Sequence, residues 1–157
     1  MSSTPYPKDW PENMAKECAA IEGTYSNFSE PVPGQEGTQS LFSLMGLLGV
    51  SNRRGERITI LLPSPESLEV SGIVDKRRFP NETTRVKCNN EGALEISYAS
   101  GEIAELGPVR GARDITVQKA TDGTLIVEKK ELATALLGWI FPYHQRDTRW
   151  YRFRPVK

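Results

Sequence analysis

The sequence predicts one mainly β domain, an antiparallel meander of about eight strands that forms a barrel or a sandwich. From residue 57 onward, apolar and polar residues alternate with the period of two that is typical of half-buried strands. Turn signals separate these runs, and Asp122-Gly123 is the clearest hairpin mark among them. Closing the sheet into a barrel, or packing two sheets together, is the simplest way to remove exposed strand edges. A chain of 157 residues is long enough to bury one core.

The first part of the chain predicts a tether, a strand and a helix. Residues 1–16 contain three prolines, and we expect a Pro-rich tether there, followed by a single β domain over 17–157. A first strand is expected at 21–28. Residues 40–48 have apolar side chains at the spacing of a short amphipathic helix. We expect this helix to plug a barrel end or lie on a sheet, and an exposed helix that contacts a membrane or a partner is the alternative.

The remaining strands are predicted as three hairpins and one closing strand. Each hairpin consists of two alternating runs separated by Pro, Gly, Asn or Asp. The closing strand alternates charged with aromatic residues, which indicates one solvated face and one core face. The expected strands are 57–62 with 67–74, 83–88 with 93–98, 112–119 with 124–130, and finally 148–154.

Charge and hydropathy exclude several classes of partner. Lysine and arginine number 20, and aspartate and glutamate also number 20, so the chain lacks the net positive field that attracts nucleic acid. Basic and aromatic residues do interleave over 146–154, but a solvated strand face explains that pattern. The longest apolar runs are about ten residues, short of the roughly 18 that cross a bilayer. No secretory signal is present, so a cytoplasmic location is one alternative.

The residue types needed for common catalytic and metal sites are scarce. His144 is the single histidine, and two cysteines do not complete a zinc ligand set. The chain has no Gly-x-Ser-x-Gly elbow around a nucleophile and no glycine-rich loop for a phosphate or dinucleotide. We therefore predict a protein that is not an enzyme and that has neither a metal nor another cofactor.

The two cysteines, Cys18 and Cys88, predict a disulfide, because an even pair in a small domain of an oxidising compartment is often bonded. The bond would connect the start of the domain to a later strand. On the chain-entropy model it would stabilise the fold by roughly 4 kcal/mol. Two buried free thiols are the alternative.

An apolar, aromatic segment at 132–143 is the candidate binding region. If this segment is exposed, it forms a patch of the kind that contacts a partner, ligand or membrane, and if it is buried it belongs to the core. Trp139, Phe141 and Tyr143 are the residues most suited to reach a surface or line a barrel mouth. Trp150 in the closing strand is the fourth candidate.

The N-terminal region resembles that of uncharacterised Gram-negative lipoproteins. Met1 is followed by small polar residues and prolines, and stands where the lipid-carrying cysteine of such a protein would be. Residues 17–27 are similar to the opening "Cys, two residues, hydrophobic, polar, Gly-Thr-Tyr-x-Asn" of those proteins. The resemblance implies a periplasmic domain anchored to the outer membrane, with membrane contact only through a lipid anchor that this sequence lacks.

Two functions fit this resemblance. The first is a non-enzymatic interaction module that docks an envelope protein or surface component. The second is a carrier of a small apolar molecule, because Gly23-Thr24-Tyr25 is similar to the Gly-x-Trp opening of lipocalins, and Arg152 or Arg154 resembles their closing arginine. The lipocalin likeness concerns shape alone. A filled interior would favour the module, and an aromatic-lined central cavity would favour the carrier.

Overall fold

The computed structural model describes residues 2–3, 5–30, 43–48, 56–74, 76–104, 107–137 and 141–156. Strands account for 61% and helices for 7%, which confirms the predicted mainly β class. In the described part of the chain, no helix is long and apolar enough to cross a bilayer.

Ten strands, one α-helix and one 3-10 helix make up the described structure. In chain order they are β1 (Ser2–Ser3), the 3-10 helix (Cys18–Ile21), β2 (Gly23–Ser26), α1 (Leu44–Leu47), β3 (Arg57–Ser64), β4 (Ser67–Val74), β5 (Arg77–Arg85), β6 (Lys87–Cys88), β7 (Leu94–Ala104), β8 (Gly107–Lys119), β9 (Leu125–Leu137) and β10 (Phe141–Phe153).

The strands form two sheets in which neighbours are mostly consecutive in sequence. One sheet has the order β1-β10-β9-β8-β7-β6 and the other the order β2-β3-β4-β5. All neighbouring pairs are antiparallel except β1, which lies parallel to β10. Among the described strands, no pairing closes either sheet on itself. The number of strands exceeds eight because β1 adds one and because the run predicted over 83–88 is divided between β5 and β6.

Backbone hydrogen bonds connect the two sheets where β10 ends. The Ser26 amide donates to the Arg154 carbonyl at 2.9 Å, and the Val156 amide donates to the Thr24 carbonyl at 2.8 Å. A bridge between Tyr25 and Pro155 lies between these two bonds. The segment after β10 therefore pairs with β2 of the other sheet.

Both sheets contribute to one apolar core. The core contains buried side chains from all the longer strands except β5, together with residues of both helices and of the segment between β5 and β6. Its buried members are Cys18, Ile21, Tyr25, Leu44, Leu47, Leu48, Ile58, Ile60, Leu68, Val70, Val86, Leu94, Ile96, Ile115, Val117, Leu125, Val127, Tyr151 and Phe153. Alternation along each strand explains the selection, because every second residue points to the same face of a sheet.

Helix α1 contributes buried leucines to this core, which agrees with a helix packed against the sheets. Leu44, Leu47 and Leu48 are 0% exposed. The Ser43 side chain caps the helix by accepting a 3.1 Å hydrogen bond from the Gly46 amide. The alternative of an exposed helix is therefore wrong over Leu44–Leu47, and residues 40–42 of the predicted helix lie outside the described part.

The predicted disulfide is confirmed. Cys18 and Cys88 are bonded, with their Cα atoms 6.1 Å apart. Cys18 opens the 3-10 helix and Cys88 ends β6. The bond thus fixes the start of the domain to one edge of the six-stranded sheet.

The segment predicted as a tether packs on the outside of this sheet. The Ala15 amide donates to the Lys119 carbonyl at 2.8 Å, and the Thr121 amide donates to the Asn13 carbonyl at 3.1 Å. Trp10 is only 5% exposed. We name the surrounding group the outer aromatic cluster, and it consists of Tyr6, Trp10, Met14, Ala120, Ile126 and Trp150.

Candidate functional site

Of the four predicted binding residues, Trp150 is the one whose side chain belongs to the described part of the chain. Trp139 lies outside the described residues. Phe141 and Tyr143 occupy the start of β10, where their backbones pair with Leu137 and Ala135, and their side chains lie outside the described part. Trp150 follows seven residues after Tyr143, about 24 Å further along an extended strand.

Trp150 packs within the outer aromatic cluster. Its ring meets the Tyr6 ring edge to face, with centroids 4.9 Å apart, and the Tyr6 ring meets Trp10 in the same way at 5.9 Å. The Arg152 guanidinium lies 5.8 Å from the centroid of the Trp10 ring. Trp150 therefore helps to hold the N-terminal segment against the sheet.

A group of charged residues occupies the core-facing side of the six-stranded sheet. The register places Tyr98, Arg113, Glu131 and Asp147 in one row across β7, β8, β9 and β10. The next row toward the core pairs Ile115 with Lys129 and Lys129 with Arg149. The row after that is apolar and includes Val117 and Val127. We name Arg113, Lys129, Glu131, Asp147 and Arg149 the inner charged cluster.

Ion pairs connect the inner charged cluster across and along the strands. Glu131 Oε1 lies 3.2 Å from Arg113 Nη2 and 3.5 Å from Lys129 Nζ. Arg113 Nε also donates to Glu131 Oε1, at 3.2 Å. Arg149 Nε donates to Asp147 Oδ2 at 2.9 Å. Glu131 thus links two cations on neighbouring strands, while Asp147 holds the third.

Burial within the cluster increases toward the core. The Lys129 side chain is 2% exposed and Asp147 is 15% exposed, whereas Glu131 and Arg113 are 37% and 39% exposed. Lys129 Nζ lies 5.7 Å from the centroid of the Tyr151 ring. The cluster therefore has a buried base beside the apolar core and a side that solvent reaches.

Burial also changes the acid-base behaviour of this region. It lowers the pKa of Lys129, and the positive charges of Arg113 and Arg149 act in the same direction, while Glu131 opposes the change. Burial raises the pKa of Tyr151 to about 12 and raises that of Tyr98. Both tyrosine hydroxyls are therefore neutral near pH 7.

Two buried polar atoms beside the ion pairs lack a hydrogen-bond partner among the described residues. They are the Tyr98 hydroxyl and Asp147 Oδ1. A buried polar atom without a partner costs free energy, about 1 to 3 kcal/mol, so such atoms often mark places where a water or a ligand is held. The arrangement can offer cations, one hydroxyl and one carboxylate oxygen to a small polar molecule.

Sequence reasoning missed this cluster because its members are spread over three strands that the turns bring together. One signal was available in β9, where the core-facing positions change from Leu125 and Val127 to Lys129 and Glu131. Charge on the face that apolar residues have already assigned to the core is unusual. The described residues contain no group of three or more His, Cys, Asp or Glu placed to hold a metal ion.

Comparison with known proteins finds no matching family model, no matching curated sequence and no matching solved structure. Any functional conclusion therefore depends on the chemistry of the chain's own residues.

Proposed function

We propose that this chain is a non-enzymatic interaction module of the Gram-negative cell envelope. In this proposal a lipid on the native N-terminus anchors it to the outer membrane, and the domain extends into the periplasm to dock a protein or surface component. The disulfide between Cys18 and Cys88 is consistent with an oxidising compartment. The filled apolar core is the observation that most favours a module over a carrier of apolar molecules.

The proposed architecture is a meander of about eight strands that forms a barrel or a sandwich. In it, β5 and β6 act as one bent strand that passes from one sheet to the other at Val86, whose amide donates to the Glu66 carbonyl at 2.9 Å. Strand β2 contacts the segment after β10 through the bonds of Ser26 and Val156 described above, which joins the two sheets at this corner. Strand β1 then adds to the edge of β10.

Large side chains occupy the space in which a barrel-shaped carrier would hold an apolar ligand. Tyr25, Tyr151 and Phe153 are at most 1% exposed, and α1 adds its buried leucines to the same cluster. Protein interiors packed in this way leave little room for a ligand without rearrangement. The side chains in the interior near the disulfide therefore serve the fold rather than bind an apolar ligand.

We assign the docking surface to the end of β7 to β10 that lies farthest from the disulfide. Strands β7 to β10 have 11 to 13 residues, whereas β3 to β5 have eight or nine. The hairpins of the long strands meet at Ala104 with Gly107 and at Leu137 with Phe141. Phe141 and Tyr143, two of the residues that the sequence singled out, begin β10 at the second of these ends, and Trp139 precedes them in the chain. Aromatic residues are common anchors in protein interfaces.

Site-specific photo-crosslinking in the native envelope tests this docking surface. We expect a photoreactive phenylalanine derivative at position 141 to give one discrete adduct when the full native gene is expressed. The same derivative at position 91, in the exposed turn between β6 and β7, is the matched control and should give none. Equal labelling from both positions, or none from position 141, would contradict the assignment.

Intact-mass measurement tests the anchor and the compartment. The product of the full native gene should carry a diacyl or triacyl group on an N-terminal cysteine, and Cys18 and Cys88 should react with alkylating reagent only after reduction. An unlipidated product with two free thiols would return the protein to the cytoplasm. Saturable binding of a fluorescent fatty acid by the oxidised domain would favour the lipocalin-like carrier instead.

A further inference from the structure

We propose that the disulfide between Cys18 and Cys88 is a thiol-exchange site, at which a small thiol enters a surface groove, attacks Cys88 and stays bonded to it. This modification site is independent of the docking surface at the hairpin ends. Three features of the described residues support it: the groove beside Cys88, the difference in burial between the two cysteines, and the surroundings of the sulfur that is released.

A groove of about 680 Å³ lies beside Cys88, where the chain passes from β5 to β6. Its walls come from the turn between β3 and β4 and from the run 85–88. The lining residues are Pro65, Glu66, Arg85, Val86, Lys87 and Cys88. Four of them are exposed, so the groove opens to solvent. Small-molecule sites have volumes of roughly 300 to 1,000 Å³, and the groove therefore has room for a thiol of the size of a short peptide.

The two cysteines differ in their access to solvent. Cys88 is half-buried and lines the groove, whereas Cys18 is 6% exposed and belongs to the apolar core. Thiol–disulfide exchange is the direct attack of a thiolate on one of the two sulfurs, so access decides which sulfur reacts. We therefore expect attack at Cys88, with Cys18 as the leaving group.

The exchange needs no reagent other than the entering thiol. This thiol loses its proton to water, and its sulfur forms a bond to Cys88 Sγ while the bond between the two protein sulfurs breaks. The electron pair of the broken bond stays on Cys18, whose sulfur takes a proton from water. The entering thiol is thus oxidised to a mixed disulfide, and Cys18 is reduced to a thiol.

The surroundings of Cys18 favour this neutral thiol. Its Sγ lies 3.5 Å from the Ala93 carbonyl oxygen, a position from which a released S–H group can donate a hydrogen bond. The charged thiolate form is costly where water is excluded. Because the thiolate is the nucleophile and the neutral thiol is not, Cys18 attacks the new bond only slowly, and the mixed disulfide on Cys88 persists.

Other contacts hold the N-terminal segment in place when the disulfide opens. The Ala15 amide donates to the Lys119 carbonyl at 2.8 Å, and Trp10 is buried in the outer aromatic cluster. These contacts do not depend on the bond between the two sulfurs. The exchange can therefore modify Cys88 while the segment stays on the sheet.

Peptide mass mapping after brief treatment of the oxidised full chain with glutathione tests the proposal. Acid stops the reaction before the mixed disulfide is located. We expect roughly tenfold more glutathione on Cys88 than on Cys18, because access decides the site of attack. An equal distribution, or glutathione mainly on Cys18, would refute the assigned direction. If the chain unfolded in urea forms a mixed disulfide and the folded chain forms none, the exchange site is overturned.

Two charge variants then test the route through the groove. The glutathione thiolate is an anion, so Lys87→Glu should slow its attack on Cys88 several-fold. Lys130→Glu is the matched control, because it changes the net charge equally at a side chain that is 61% exposed. It lies on β9, three strands from β6 or roughly 14 Å along the sheet, which exceeds the Debye length of about 8 Å at physiological salt. Its reaction rate should therefore match that of the original protein.

Thermal unfolding of each variant reports folding separately from the reaction rate. An unfolded Lys87→Glu would leave Arg85→Glu, in the same groove, as the deciding variant. Equal slowing in the groove variant and in Lys130→Glu would show that net charge controls the reaction, and an unchanged rate in a folded groove variant would show that the thiol enters elsewhere. Either result would refute the route.

Discussion

The core-facing side of the six-stranded sheet has two chemically different halves. Near the disulfide, Leu94, Val117 and Val127 pack with Tyr151 and are at most 1% exposed. In the next two rows along the same strands, the equivalent positions hold the inner charged cluster. The backbone ladder is continuous through both halves. Strand alternation therefore determines which residues face inward, while the chemistry of those inward positions changes from apolar to charged along the same strands.

The largest expected effect is a cavity in the apolar half. Phe153→Ala removes a side chain that is 0% exposed, and we expect the free energy of unfolding to fall by about 3 to 5 kcal/mol. Urea denaturation measures it. Ile73→Ala is the control, because its side chain is 45% exposed and the change should stay within about 0.5 kcal/mol. Similar losses for both variants would contradict the core described above.

Loss of the disulfide should have the second-largest effect on the free energy of unfolding. A double substitution, Cys18→Ala with Cys88→Ala, should lower the free energy of unfolding by about 2 to 4 kcal/mol, because the unfolded chain gains conformational freedom. Urea denaturation of the unsubstituted protein, once with its disulfide intact and once after reduction, gives the same comparison. A reductant effect on the double variant would show that the loss has another origin.

A substitution in the inner charged cluster should raise the free energy of unfolding, whereas the two changes above lower it. Lys129→Met removes a cation that is costly to bury, and we expect a gain of about 1 kcal/mol in the free energy of unfolding at pH 7. Because the folded-state pKa of Lys129 is lowered, the unfolded chain holds more protons as the pH approaches 10.5. The stability of the original protein should therefore rise relative to the variant in that alkaline range. A loss of stability at pH 7 would mean that the lysine stabilises the fold.

The smallest expected effect on the free energy of unfolding comes from the Asp122-Gly123 turn, which joins β8 to β9 and belongs to neither half of the core-facing side. Hydrogen bonds from Thr124 and Arg152 lower the pKa of Asp122 despite its partial burial, which acts to raise it. Asp122→Asn should lower the free energy of unfolding by about 0.5 kcal/mol at pH 7. The pKa of Asp122 is lower in the folded protein than in the unfolded chain. The stability difference between the original protein and Asp122→Asn should therefore disappear as the pH falls below 3.8 and through the folded-state pKa. Glu91→Gln, in an exposed turn, is the control and should change the free energy of unfolding at pH 7 by less than Asp122→Asn does.

Local sequence signals were sufficient where turn chemistry and alternation agreed. Asp122-Gly123 predicted the β8–β9 hairpin, and Gly123 has a φ of 90°, a conformation that favours glycine. The run 57–62 corresponds to β3, which extends to Ser64. The pairing of Cys18 with Cys88 was also predictable, because the chain has only two cysteines.

Local signals failed where backbone pairing extends beyond the pattern of side chains. The closing strand was expected at 148–154, yet β10 begins at Phe141, in an apolar run that does not alternate. Strand β5 begins at Arg77, and its basic residues and Pro80 do not indicate a strand. The inner charged cluster was missed for a related reason, because its residues meet only through the cross-strand register.

The arrangement of the N-terminal segment determines how a mechanical load would enter the domain. A pull on the N-terminus would first act on β1, which is paired with β10 at Asp147 and Thr148. It would next act on the packing of Trp10 and on the hydrogen bonds of Asn13 and Ala15. Peeling would then stop at Cys18, because the covalent bond to Cys88 transfers the force directly to β6. Tension on the N-terminus can therefore detach the segment before Cys18 from the sheet while the core around the disulfide stays buried.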